Sequence, residues 1–189
     1  MSASTAIADV TNTLEELLKQ QQDPSGWFDI SLKSPAEETI VPSMKPKINL
    51  FLFRVAENPN AKNQEWLVEG TNKLRYPPLA LNLFYVMTPF AEDPLDEHRV
   101  LGEAMRIFYT HSILTGSFLK GDLENTSEEL KIELSQLNVE ELTRVWSAFT
   151  IPYRLTVCYE IRILLIDTDL DRDVERVIEK EDRYYQLGR

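Results

Sequence analysis

Ile7, Val10, Leu14, Leu17 and Leu18 recur every three or four positions, the spacing that gathers side chains on one stripe of a helix. Ser2, Ser4 and Thr5 stand ready to cap its start, and the run from Gln20 to Gly26, with Pro24 inside it, ends it. Trp27 to Leu32 alternates briefly and predicts an edge strand. Pro35, Pro42 and Pro46 then punctuate residues 33–46, which predicts extended loop.

Two runs lack polar alternation. In Lys47 to Val55, Leu50 and Leu52 point one way while Phe51 and Phe53 point the other, the pattern of a central strand covered on both faces. Leu79 to Thr88 reads the same way, with Leu79, Leu81, Leu83, Tyr85 and Met87 on one face. The connection between them, residues 57–78, is long and polar. Connections of that length are usually functional or poorly ordered, and Trp66-Leu67 would tether this one to its own chain or to a neighbour.

Asp93-Pro94 predicts a helix start, with Asp as cap and Pro at the first helical position. Leu101, Met105 and Phe108 form one apolar row, Val100, Ala104 and Ile107 the next, and the helix is expected to run to about His111. Residues 115–128 read as loop. Leu130, Ile132 and Leu134 alternate with Lys131 and Glu133 as a strand with one wet face. Asn138 followed by Glu141 predicts a capping box, and Leu142, Val145, Trp146 and Phe149 continue that helix until Pro152. Tyr153 to Ile166 predicts a long strand whose core face carries Leu155, Val157, Tyr159, Ile161, Ile163 and Leu165. Its other face, Arg154, Thr156, Cys158, Glu160 and Arg162, is polar and is expected to meet solvent or a partner.

Strands that follow one another without an intervening helix argue against a doubly wound parallel fold. The order predicts an α+β domain over residues 1–167, a mixed or antiparallel sheet of four to five strands with helices packed on it. Residues 168–189 form a charged tail. Leu170, Val174, Val177 and Ile178 have near-helical spacing there, and Tyr184, Tyr185 and Leu187 follow. Two readings stand side by side: a short amphipathic helix against its own domain, or an arm that orders on a neighbouring subunit.

Composition narrows the function. The 189 residues carry a formal charge of −11, which repels phosphate backbones and disfavours both nucleic acid and anionic membrane surfaces as partners. No apolar run approaches the length of a membrane span. The N-terminus lacks the basic and apolar regions of a signal peptide, so synthesis in the cytoplasm is expected, with release on lysis equally compatible. Cys158 is the single cysteine, which leaves no internal disulfide and no thiolate zinc cluster.

Candidate chemistry is sparse. His98 and His111 lie too far apart on one helix to share a metal at helical spacing. The acids Asp167, Asp169, Asp171 and Asp173 fail as a calcium loop, because Arg172 stands where Gly is needed and Ile178 where Glu is needed. Cys158 lacks a neighbouring base. No cofactor, metal or catalytic residue is expected, and the chain reads as a non-enzymatic assembly protein.

Several blocks in series carry a resemblance: Ser4 to Val10, Ile48 to Arg54 with Glu57-Asn58-Pro59, Pro78 to Tyr85, Glu97 to Ala104, Glu140-Glu141-Leu142 with Trp146, and Pro152 to Leu155 with Tyr159-Glu160. Together they resemble the N-terminal domain family of cap proteins from extracellular contractile injection systems, the antifeeding-prophage type, over roughly residues 3–167. The resemblance implies a tail-terminator-like protomer that closes into a six-fold ring on the last layers of inner tube and sheath. It implies that the ring stops tube growth and holds the sheath end, with the sheath protein, the tube protein and the chain itself as partners. Particles of this kind are released or membrane-attached. A tube–baseplate adaptor or a head–tail joining protein of similar fold is the alternative.

A ring protomer needs two different mating surfaces. The polar face with Arg154, Glu160 and Arg162 offers one, and the loop carrying Trp66 another. The tail, through Arg172, Arg176, Tyr184 and Tyr185, is expected to help dock the sheath by adding a strand. Six copies each carrying −11 also require acids to point outward or pair with Arg154, Arg162, Arg172 and Arg176, since screening at physiological salt extends over ~8 Å.

Overall fold

A computed structural model describes residues 5–62, 65–69, 73–124, 126–167 and 170–173. The first helix, α1 (Ala6–Gln20), buries Val10, Leu14, Leu17 and Leu18 as its spacing requires. Thr5 stands at its N-cap, but the Thr5 hydroxyl donates to Asp122 (2.7 Å) and accepts no amide of the helix start. Asp9 in the first turn accepts from the amide of Asp122 (3.3 Å). That contact requires glycine at 121, since a Cβ there would lie 2.1 Å from the Asp9 carboxylate on a backbone with φ of +64°.

The strands β1 (Asp29–Ser31), β2 (Lys47–Glu57), β3 (Leu67–Glu69), β4 (Lys73–Arg75) and β5 (Leu79–Phe90) follow. Next come α2 (Pro94–Thr110), β6 (Ile113–Thr115), β7 (Glu129–Ser135), α3 (Val139–Phe149), β8 (Val157–Ile166) and β9 (Asp171–Asp173). Six strands form one mixed sheet in the order β1-β2-β5-β8-β7-β6, and β3-β4-β9 form a second, small sheet. Within the large sheet β1 runs parallel to β2 and the remaining pairs are antiparallel. The α+β class stands, while the strand count exceeds the expected four to five. The additional strands β3, β4, β6 and β9 are three residues each, too short to leave a pattern in sequence.

Both double-faced runs are central strands. Leu50 of β2 and Leu83, Tyr85 and Met87 of β5 face α1 and α2. Tyr159, Ile161 and Leu164 of β8 join them, as do Leu130 and Ile132 of β7. Tyr85 is fully buried, and its hydroxyl meets Thr11 Oγ1 of α1 at 2.7 Å. Burial pushes its pKa up to about 12, so the phenol stays neutral and the hydrogen bond holds across the usable pH range.

The predicted loop 33–46 is a strap between β1 and β2. Asn49 Nδ2 donates to Lys33 O (2.8 Å), and Lys47 Nζ pairs with Glu38 (2.7 Å) beside the Ser31–Glu38 hydrogen bond. Burial alone would raise the Glu38 carboxyl, but Lys47, Ser31 and Asn49 outweigh it and hold it below its ordinary value.

Candidate assembly interface

The face of the sheet opposite α1 and α2 is divided. One half is covered by α3, whose start is the predicted capping box: Asn138 Oδ1 accepts from Glu141 N (3.0 Å) and Glu141 Oε2 accepts from Asn138 N (2.9 Å). α3 buries Trp146, which stacks edge-on with Phe149 and Tyr153, while Phe149 meets Phe51 of β2 at 5.7 Å. Under this cover Thr156 donates to Met87 O (2.8 Å) and meets Thr88 (3.1 Å). Cys158 is buried too, and burial pushes its thiol up to about 11. Two of the five positions expected to meet solvent or a partner are therefore interior. A sequence cannot say where a helix eleven residues long will lie down.

The other half is open and polar, and two β-bulges shape it. Leu52 pairs with Tyr85 and Arg54 with Phe84, which leaves Phe53 as the extra residue of β2. On β8, Ile161 pairs with Leu83 and Leu164 with Leu81, so Arg162 and Ile163 both oppose Asn82. A bulge of this kind turns the following side chains over. It moves Leu164 into the core and leaves Leu165 38% exposed, which corrects the expected inward face of Leu165. The predicted strand start is corrected as well: β8 begins at Val157, and Leu155 before it is exposed.

Along these bulges runs a chain of polar side chains. Asn58 Nδ2 donates to Asn82 Oδ1 (3.0 Å) and Asn82 Nδ2 to Glu160 Oε1 (2.7 Å). Arg162 donates to Glu160 (2.9 Å) and pairs with Glu133 of β7 (3.2 Å), yet its buried Nε has no acceptor among the described residues. Arg54 lies over the Phe84 ring at 4.9 Å. Together they rim a shallow cleft of about 400 Å³ that also takes in Asn58 and Pro59. Glu160 and Arg162, expected at an interface, are thus brought together. Asn58, Asn82 and Arg54 were missed. Asn82 left a signal, an amide in the middle of the apolar run from Leu79 to Val86, where burial of an unpaired polar group is costly.

Arg154 lies elsewhere, ahead of β8. It pairs with Glu97 of α2 and sits over the Phe90 ring at 4.8 Å, so its charge is already answered within the chain. Trp66 stacks edge-on against Tyr76 at 5.3 Å at the base of the β3–β4 hairpin. Residues 57–78, expected as a loop, therefore contain an antiparallel ribbon, and the beginning of the tail joins it through β9. Arg172 faces Leu74 in that pairing, and Tyr76 N donates to Leu170 O (3.0 Å). The expected boundary at 167/168 consequently cuts across a sheet. The small sheet exposes apolar side chains: Val68 is 77% exposed, and Leu67, Tyr76 and Leu170 are about half exposed. Arg176, Tyr184 and Tyr185 lie outside the described residues.

Among the described residues no group of three or more His, Cys, Asp or Glu could hold a metal ion, and no helix is long and apolar enough to cross a membrane. A raised carboxylate occurs away from the polar chain: burial pushes Glu128 up, and the nearby Asp167 adds to it.

Residues 9–180 match the family model described as the Pvc16 N-terminal domain. No curated protein gives a significant match to the chain. Among solved structures, the fold is similar to the sheath/tube terminator of the PVC extracellular contractile injection system in its extended state. The TM-score is 0.65 at 12% identity, over 96% of this chain and 64% of that one. It is also similar to the tube-terminating cap of the anti-feeding prophage, with a TM-score of 0.62 at 13% identity, over 94% of this chain and 61% of that one. The chain thus spans less than two thirds of the length of either structure.

Proposed function

Because the chain belongs to the Pvc16 N-terminal domain family, we propose that it caps the distal end of the inner tube and sheath of a contractile injection particle. In this reading copies of the chain close into a six-membered ring, which stops tube growth and holds the sheath end. The observation that carries it is the small sheet β3-β4-β9. Three strands of three residues with exposed apolar side chains are not stable in isolation, and among the described residues β3 and β9 each leave an outer edge without a neighbouring strand. That is a seat for an extended arm of a sheath subunit, bound by strand addition with main-chain hydrogen bonds and side-chain pockets.

The open polar half of the large sheet supports the contact between copies. Arg54 and the part-exposed guanidinium of Arg162 bring positive charge to a strongly acidic chain, which suits an acidic patch on the next subunit. Electron microscopy of the purified protein, alone and mixed with tubes and sheaths, tests the reading. Rings of six at one tube end are expected. A label at the baseplate end would replace the cap with an adaptor, and a monomer that binds neither tube nor sheath would sink both.

A further inference from the structure

The helix-covered face of the large sheet is not sealed at its edge. β6 pairs with β7 only from Glu129 to Lys131, and Ile132 N–H then donates to Ser112 O (2.8 Å). In an antiparallel ladder alternate residues aim their amide groups at opposite neighbours. Leu134 therefore turns its N–H and C=O the same way as Ile132, toward a side where no further strand stands among the described residues. Behind this free edge, α2 and the sheet leave an apolar cleft of about 330 Å³ lined by Gly102, Met105, Tyr109, Ile132, Leu134 and Tyr159. Gly102 keeps it open. It sits inside α2, where glycine weakens a helix, and a Cβ added there would meet nothing within 4 Å. Tyr109, 86% exposed, and Leu134, half exposed, stand on the rim.

A free strand edge beside an apolar cleft suits an extended segment with two large side chains on one face. Beyond Asp173 the chain supplies such a pair. Val174, Val177 and Ile178 follow helical spacing, whereas Tyr185 and Leu187 stand two residues apart. We propose that the segment around Tyr185 and Leu187 of a second copy adds to the free edge of β7 and seats both side chains in this cleft. The inference rests on the reading of the chain as a component that assembles with itself.

Reach favours a second copy over the same chain. β9 lies beyond the end of β8, next to β4, whereas Leu134 pairs with Tyr159 near the start of β8. The stretch of β8 from Ile166 back to Tyr159 spans ~23 Å, β9 lies farther out where Asp173 pairs with Lys73, and the eleven or so residues from Asp173 to Tyr184 reach at most ~40 Å when fully taut. A path within one chain would spend more than half of that reach running back along β8 before it rounds the sheet edge.

Disulfide trapping between differently substituted full-length chains tests this. One chain carries Tyr109→Cys, the other Leu187→Cys, and native Cys158 is buried in both. Cross-linked heterodimer is expected at least ~10-fold faster than in a control pairing Leu187→Cys with Leu95→Cys, at an exposed site on the first turn of α2. Adding Gly102→Met to the Tyr109→Cys chain fills the cleft and should return the rate to the control level, with the thermal transition preserved. A rate no greater than the control from the start overturns the proposal. So does a cross-link that forms within a single chain bearing both cysteines and ignores dilution, because the occupant is then the chain's own tail. Tube capping is scored separately with the unsubstituted chain; its failure while the cross-link forms would refute the cap reading and leave this seat standing.

Discussion

The two sheets of this protein solve opposite problems. The large one hides its residues: Leu83, Tyr85 and Met87 are fully buried under α1 and α2, and Trp146 closes half of the other face. The small one displays them, with Val68 77% exposed on a ribbon three residues long. Burial of apolar surface stabilises the first by roughly 25 cal/mol per Å², whereas the second gains little until something covers it. The large sheet carries the core, while the small sheet leaves Leu67, Val68 and Leu170 exposed.

Substitutions can break that division, and the largest effect is expected in the large sheet. Trp146→Ala should lower unfolding stability by about 3–5 kcal/mol, read by chemical denaturation, because α3 loses the side chain that holds it over β2 and β5. A loss under about 1 kcal/mol would mean that α3 is a mobile cover rather than part of the core. The strap comes next. Glu38→Gln removes a charged partner from Lys47 and should cost about 1.5–3 kcal/mol at neutral pH. The Glu38 carboxyl is held below its ordinary value, so its stabilisation is complete above the unfolded-state pKa and disappears as pH falls through the lowered folded value. Denaturation curves of parent and variant should therefore converge in acid. A gap that persists there would assign the effect to packing.

Asn138→Ala removes half of the capping box and should cost about 1 kcal/mol, seen in the thermal midpoint with ring formation unchanged. The smallest effect on folding and the largest on assembly belong together. Val68→Asp should change stability by no more than ~0.5 kcal/mol while sharply reducing the fraction of capped particles in micrographs. Equal capping by this variant would remove the small sheet from the sheath contact.

Much of the large sheet was legible. The two-faced apolar pattern of residues 47–55 and 79–88 identified β2 and β5 as central strands, and Asp93-Pro94 and Asn138 with Glu141 marked the starts of α2 and α3. Each signal is local: a period, a cap, a ring that fixes φ. The candidate interface was legible only in part. Glu160 and Arg162 were picked from an outer-face alternation that holds through Arg162 and then fails at the bulge. Arg154 shares that alternation, and its guanidinium pairs with Glu97 of α2 and lies over Phe90. Trp66 was chosen as a tether, and it stacks on Tyr76 of its own ribbon.

The amino-acid order by itself determined which faces are apolar and where the helices begin. The three-residue strands β3, β4, β6 and β9, the bulges at Phe53 and at Arg162–Ile163, and the position of α3 were decided only by tertiary structure, whereas β1 lies inside an alternation that runs from Trp27 to Leu32. A three-residue strand outside such an alternation has no period to read and exists only because a neighbour supplies its hydrogen bonds. A bulge records a mismatch between two strands distant in sequence, Arg162 against Asn82, that neither strand contains alone. Closing such contacts costs chain entropy that only the assembled core repays, so these features come into being together with the core.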